Sequence, residues 1–229
     1  MNPVLESVRR RVTGRTIWMG SIPARPFDAP PGSEATIERL FAAWAAVGVQ
    51  AERCATEGEA ARRVLELLRE RGVRHVLIDL RTMRAYPELQ VALEGAGLTM
   101  MSSPLPREEG PRYLGLTRWA IAEAGITEVV AAFADTGALW LAGGRGGMRC
   151  ASLLPPVHIA LVRRPQVYPC MAAWLAAARA SGALFEWVEE SSALIAVTGP
   201  SRTSDIEKTL TLGVHGPKEV IALLIEEGE

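Results

Sequence analysis

Lysine is nearly missing from this sequence: of its 25 basic residues only Lys208 and Lys218 are lysines, and the rest are arginine. The 26 acidic residues balance them to a net charge of −1, so no field of one sign is available to attract nucleic acid or an anionic membrane. Cysteine is scarce too. Cys54, Cys150 and Cys170 are odd in number, far apart, and form no Cys-x-x-Cys pair. That excludes a disulfide framework and the usual four-thiolate iron–sulfur set, and it suits free thiols in the cytoplasm. The three histidines, His75, His158 and His215, share no ligand spacing with each other or with the cysteines, so no metal site is expected. No apolar run reaches the roughly 18 residues of a spanning helix, Trp174–Ala180 being the nearest. Met1–Arg11 is charged and lacks the apolar core of a signal peptide. Also missing are the dinucleotide fingerprint, the Walker loop and the Gly-x-Ser-x-Gly elbow, which disfavours nicotinamide chemistry, P-loop chemistry and an elbow serine.

What is present is ordinary globular material: 229 residues, 48 % hydrophobic and 22 % charged, enough for one self-sufficient core. Val4, Leu5, Val8 and Val12 predict a short N-terminal helix, followed by a proline-rich segment from Ser21 to Gly32. Ser33 then offers a cap to an amphipathic helix carrying Ile37, Leu40, Phe41, Trp44 and Val47. Val49–Cys54 reads as a strand, Thr56 to Glu59 as a capping box before a helix closed by Gly72, and Val73–Leu80 as a strand buried on both faces. A helix from Pro87 to Gly95 and a strand near Leu98–Met101 follow. This alternation predicts an α/β fold with a mainly parallel, partly mixed sheet flanked by helices. Short strands at Thr127–Ala134, Ala138–Ala142, Cys150–Leu154 and Val157–Val162 bring antiparallel pairing into the second half. Pro169–Ala180 reads as a helix, Ala193–Thr198 as a buried strand and Val220–Ile225 as a last apolar strand. The economical organisation is one domain over 1–229, with residues 1–32 preceding an α/β core over 33–229.

The densest chemistry lies in Thr198 to Glu207. Ser201, Arg202, Thr203 and Ser204 place three hydroxyls and a guanidinium at what reads as the carboxyl end of a buried strand, where open α/β sheets hold ligands. Ser204 and Glu207 have capping-box spacing, so a helical turn can start there. Such a loop, Gly199 included, suits a carboxylate or phosphate; equally, Arg202 can pair with Asp205 or Glu207 in a plain helix entry. Asp135-Thr136-Gly137 joins two apolar strands, and Asp135 can serve as a base or simply as a turn former. His215 stands between Gly213 and Gly216 on a turn. Pro155 and Pro156 break an apolar run just before His158, whose ring can meet a ligand or sit in the core. Gly143–Gly147 reads as a hairpin, because its flanks are strands.

Four blocks in order, Ala134-Asp135-Thr136-Gly137, Ser152 to Ala160 with its Leu-Pro-Pro-Val-His core, Thr198 to Glu207, and Leu212 to Pro217, resemble the LutC-type branch of the lactate-utilization LUD-domain family. The resemblance runs clearly from about Gly125 onward and covers the first half only in layout. Ala138 departs from it, since relatives usually carry a hydroxyl there. It implies a fold like the sugar-phosphate isomerase/CoA-transferase superfamily and one LUD-type domain. It also implies a part in converting L-lactate to pyruvate with LutA-type and LutB-type iron–sulfur proteins, the clusters sitting in those partners and no cofactor in this chain. Site residues expected on this basis are Asp135, Thr136, Gly137, His158, Gly199, Ser201, Arg202, Thr203, Asp205 and His215, with Asp135, Glu207 and His215 as candidate catalytic groups. Competing expectations are an independent isomerase, hydrolase or acyl-CoA transferase using Asp135 or Glu207 as base, and a non-catalytic ligand sensor.

Overall fold

Ser33 starts a helix because its hydroxyl accepts the Thr36 N–H at 3.3 Å, satisfying a donor that every helix start leaves over. The computed structural model describes residues 29–102, 105, 108–144, 147–183, 191–204, 210–213 and 215–227. The expected N-terminal helix, and the proline-rich segment up to residue 28, lie outside them. Helix α1 (Glu34–Val47) buries Ile37, Leu40 and Trp44 and ends at Gly48, whose φ of 82° closes the last turn. Strand β1 (Gln50–Cys54) leads to α2 (Glu57–Glu70). There the predicted box forms: Thr56 Oγ1 accepts the Glu59 N–H at 3.1 Å, and the Glu59 carboxylate reaches back to the Ala55 N–H at 2.6 Å.

Next come β2 (His75–Ile78), α3 (Leu80–Ala85), α4 (Pro87–Gly95), β3 (Thr99–Met101), α5 (Glu109–Trp119) and β4 (Ala124–Glu128). Helices α3 and α5 were not foreseen. The first exists because Asp79, ending β2, turns its carboxylate onto the Thr82 N–H at 2.7 Å and caps a short helix.

Six parallel strands form the main sheet in the spatial order β1, β12 (Glu219–Ile225), β7 (Val157–Arg163), β4, β2, β3. The mainly parallel α/β architecture expected from the alternation of elements is therefore the observed one. Register assigns the two faces. Ile78, Ile126, Ile159 and Ile221 form one row across four strands and pack under α2 and α4 with Val64, Leu68 and Leu89. Each such side chain taken fully out of water contributes roughly 1.5–3 kcal/mol. The alternate rows face α1 and a second sheet, through Ala160, Val162, Val220 and Leu224.

That second sheet has the order β8 (Val167–Tyr168), β5 (Ala131–Phe133), β6 (Ala138–Gly144), β9 (Ser191–Val197), with antiparallel β5–β6 and β6–β9 pairs and a parallel β5–β8 pair. Helix α6 (Met171–Ala180) covers its outer side, where Trp174 packs on Phe133 and Trp140 with ring centroids 6.4 and 5.1 Å away. A hairpin of β10 (Arg202–Ser204) and β11 (Leu210–Leu212) completes the described elements.

Two expectations are corrected. Residues 150–154 are not a strand: Arg149–Ser152 is a 3₁₀ turn, because the chain must cross the sheet face toward Pro155 and Pro156, which offer no donors to a ladder. It lies so close that a Cβ on Gly125 would stand 1.7 Å from the Ala151 carbonyl oxygen. Strand β9 is not buried; as an edge strand it alternates half-buried and exposed residues, Leu194 facing outward. Arg202–Ser204 pairs antiparallel with Leu210–Leu212, Thr203 opposite Thr211 and Ser204 opposite Leu210, and the helical turn expected to start at Ser204 lies outside the described residues. No helix among the described residues is long and apolar enough to cross a membrane.

Candidate functional site

Strand pairing brings the two most distinctive loops together. Leu139 of β6 pairs with Val197 of β9, so the Asp135–Gly137 turn that enters β6 and the Thr198–Arg202 segment that leaves β9 emerge side by side. Both land on the carboxyl end of α1. Gly137, at φ 69°, approaches so that a Cβ would stand 3.2 Å from the Ala43 carbonyl carbon. Gly199, at φ 80°, lies one helical turn further along, where a Cβ would stand 2.3 Å from the Val47 carbonyl oxygen. Only glycine tolerates both the backbone conformation and the contact at these two positions.

Arg202 uses this proximity. Its Nη2 donates to the Val47 carbonyl oxygen at 2.9 Å, placing a cation at the negative end of the α1 dipole. The side chain stays exposed and enters no ion pair among the described residues. Ser201 ties the third block in: its N–H donates to the Pro217 carbonyl at 2.9 Å, and its own carbonyl accepts from the Gly213 N–H at 3.0 Å. A Cβ on Gly216 would stand 3.2 Å from the Ser201 Cβ. The turn bearing exposed His215 is therefore adjacent to Ser201.

In the acidic turn, Phe133 carbonyl accepts from Gly137 at 2.8 Å and Thr136 Oγ1 accepts from the Ala138 N–H at 3.3 Å. At Ala138 it is therefore the backbone that engages Thr136. Both carboxylate oxygens of Asp135 are buried, though the residue as a whole is only half-buried.

His158 lies behind this surface rather than on it. Its ring is fully buried in β7, with Nε2 2.8 Å from Thr127 Oγ1 and no partner for Nδ1 among the described residues. Burial pushes its pKa down to about 4, so the ring is neutral at physiological pH. Thr203 stands on β10; Asp205 and Glu207 lie outside the described residues.

The location differs from expectation in one respect. Because β9 belongs to the second sheet, its carboxyl end reaches the amino edge of the parallel sheet. The contacts with Pro217, and of Lys218 and Glu219 with the Pro156 carbonyl, sit just before β12 and β7 begin. The carboxyl edge of the parallel strands carries a different set. Asp79, Glu128 and Arg163 each stand at the end of a strand, with Arg81 3.5 Å from Glu128. Sequence reasoning missed these residues, although each closes an apolar strand with a charge, as in His75-Val-Leu-Ile-Asp79. Burial raises the Glu128 carboxyl to about 7; Arg81 and Arg163 oppose this and Asp79 adds to it.

Cys54 is buried and its thiol pushed up to about 11 by desolvation, while Cys150 and Cys170 are partly buried on separate segments. Among the described residues no three His, Cys, Asp or Glu side chains converge on a possible metal position.

Among known families, the LUD domain model matches residues 116–225, the stretch in which the motif blocks lie. Lactate utilization protein C of Geobacillus sp. (strain WCH70) is 31 % identical over 110 residues, 46 % of this chain and 43 % of the relative. The protein of the same name from Bacillus pumilus is 29 % identical over 135 residues, 58 % of this chain and 53 % of the relative. That from Macrococcus caseolyticus is 34 % identical over 107 residues, 46 % and 45 % of the two chains. The chain thus spans about half the length of the curated relatives it matches. A crystal structure of a DUF162 family protein from Deinococcus radiodurans shares the fold, with a TM-score of 0.57 over 83 % of this chain and 96 % of that one at 19 % identity.

Proposed function

We propose that this chain serves lactate utilization in the cytoplasm, binding a small carboxylate such as L-lactate or pyruvate at the amino-edge surface. LutA-type and LutB-type iron–sulfur proteins are its partners in this reading, and the electron-carrying clusters reside in them. The observation that supports it is convergence: two blocks distant in sequence land on one helix end, a third is tied to them through Ser201, and all three resemble the lactate-utilization relatives. Arg202 would take the ligand carboxylate and the Ser201 hydroxyl a second oxygen. The Val47 contact holds the guanidinium in place before a ligand arrives, which lowers the ordering cost of binding.

A thermal-shift series with L-lactate, pyruvate and acetate on the wild type and Arg202→Ala tests this. A ligand that binds only the folded state raises the melting temperature, with the logarithm of its concentration once that exceeds its Kd. The expected result is stabilisation of the wild type and its loss in the variant. Equal stabilisation of both proteins would remove Arg202 from the reading.

A further inference from the structure

Adjacent strands β2 and β4 send their chains to opposite faces of the sheet. After β2, α3 and α4 pack with the Ile78 row through Tyr86, Leu89 and Leu93. After β4, Val129 and Ala132 join the cluster on the other face. At such a topological switch, outside the carboxyl ends of the two strands, open α/β sheets bind their ligands. Asp79 and Glu128 are the end residues of those strands.

Their states differ. Asp79 is satisfied: one oxygen accepts the Thr82 N–H at 2.7 Å and the other the Met148 N–H at 2.9 Å, tying the end of the glycine-rich turn to the strand end. Glu128 is not. Its backbone N–H donates to Thr82 Oγ1 at 2.8 Å, but among the described residues its carboxylate receives no hydrogen bond. Its near neighbour is Arg81 Nε at 3.5 Å, an ion contact beyond good hydrogen-bond length. With 16 % of its side chain exposed, Glu128 is mostly desolvated but not sealed from solvent. A mostly buried acceptor left without a donor is costly, and a ligand hydroxyl would remove that cost. The other charged groups around it are the guanidinium of Arg163, held by Glu57 at 3.0 Å and lying over the Tyr86 ring, and the carboxylate of Asp79.

We propose that this switch point is a second ligand site, in which a small hydroxy acid donates its hydroxyl to Glu128 and sets its carboxylate against Arg81. Only the ligand class is taken from the function proposed above; the location stands on the sheet topology and on the Glu128 carboxylate. The two sites lie at opposite edges of the parallel sheet, so one can fail without the other.

The test uses the full chain carrying ¹³C-labelled glutamate, titrated with L-lactate, D-glycerate, glycerol and acetate. L-lactate and D-glycerate are expected to move the Glu128 carboxyl resonance, and acetate and glycerol, each lacking one of the two groups, to do so at least tenfold more weakly. Glu128→Gln replaces the acceptor pair with an amide of the same shape and is expected to weaken L-lactate binding at this site about tenfold or more. Arg202→Ala should leave the Glu128 response unchanged. If Glu128→Gln does not fold, Glu128→Asp, which withdraws the carboxylate by one methylene, is read in its place. No movement of the Glu128 resonance with any hydroxy acid overturns the proposal, as does unchanged L-lactate affinity in a folded Glu128→Gln protein. L-lactate binding lost in Arg202→Ala and intact in Glu128→Gln also overturns it, while upholding the amino-edge reading.

Discussion

Replacing Glu128 by glutamine should uncover a pH dependence of stability that the wild-type chain largely conceals. Two buried groups titrate across the same range with opposite sign. His158 is neutral when folded until about pH 4, but protonates near its ordinary 6.5 when unfolded. The unfolded state therefore binds the extra proton between those values, and stability falls as pH falls through them. Glu128 holds its proton to about pH 7 when folded but loses it near 4.5 when unfolded. Here the folded state binds the extra proton, and stability falls as pH rises through that window. Each displacement corresponds to about 3 kcal/mol across its range. Between pH 4.5 and 6.5 the two slopes cancel. In Glu128→Gln the His158 limb remains alone, so the difference in unfolding free energy between variant and wild type should move by about 3 kcal/mol from pH 4.5 to 7, the variant gaining as pH rises. His158→Gln should show the mirror image. Urea denaturation at half-unit pH intervals, fitted with a common m-value, measures both. A pH-independent difference between Glu128→Gln and wild type would refute the reasoning, because it would mean that Glu128 ionises alike in both states.

Three further outcomes are expected. Gly125→Ala forces a methyl to 1.7 Å from the Ala151 carbonyl oxygen and should cost about 3 kcal/mol or more of unfolding free energy in urea. Gly199→Ala combines φ 80° with a 2.3 Å contact to the Val47 carbonyl oxygen and should cost about 2–4 kcal/mol, with loss of any ligand response that depends on Arg202. Native protein mixed with an aromatic disulfide reagent should leave Cys54 unmodified until urea unfolds the chain, since its buried thiol ionises only near pH 11; rapid labelling of Cys54 in buffer would contradict that burial.

Much of the first half was legible because its signals are local. The Ser33 cap, the Thr56–Glu59 box and the unbroken apolar run ahead of Asp79 each fix an element from a few neighbouring residues. Strand β9 shows where such reading stops. Ser191–Val197 is apolar enough to be a strand, but nothing in it says which sheet it joins, and that choice decides which edge its loop reaches. The meeting of Asp135–Gly137 with Gly199–Arg202 was expected only from the family resemblance, and its cause, the Leu139–Val197 pairing, spans 58 residues and is visible only in three dimensions. Glu128 was overlooked for a related reason. A charge after an apolar strand looks like an ordinary strand end until the neighbouring strand turns out to leave toward the opposite face.

The order of strands in the parallel sheet also sets an order of events. Strand β1, made early, has β12 as its partner, and β12 lies between β1 and β7. Until residues 219–225 have left the ribosome, β1 has no ladder, and the apolar rows of β7 have one open side. The amino-edge site is held to the same schedule, since Ser201 is fastened to Pro217 just ahead of β12. A nascent chain therefore carries an unfinished sheet edge until β12 emerges, and closes its core and its candidate site in one step.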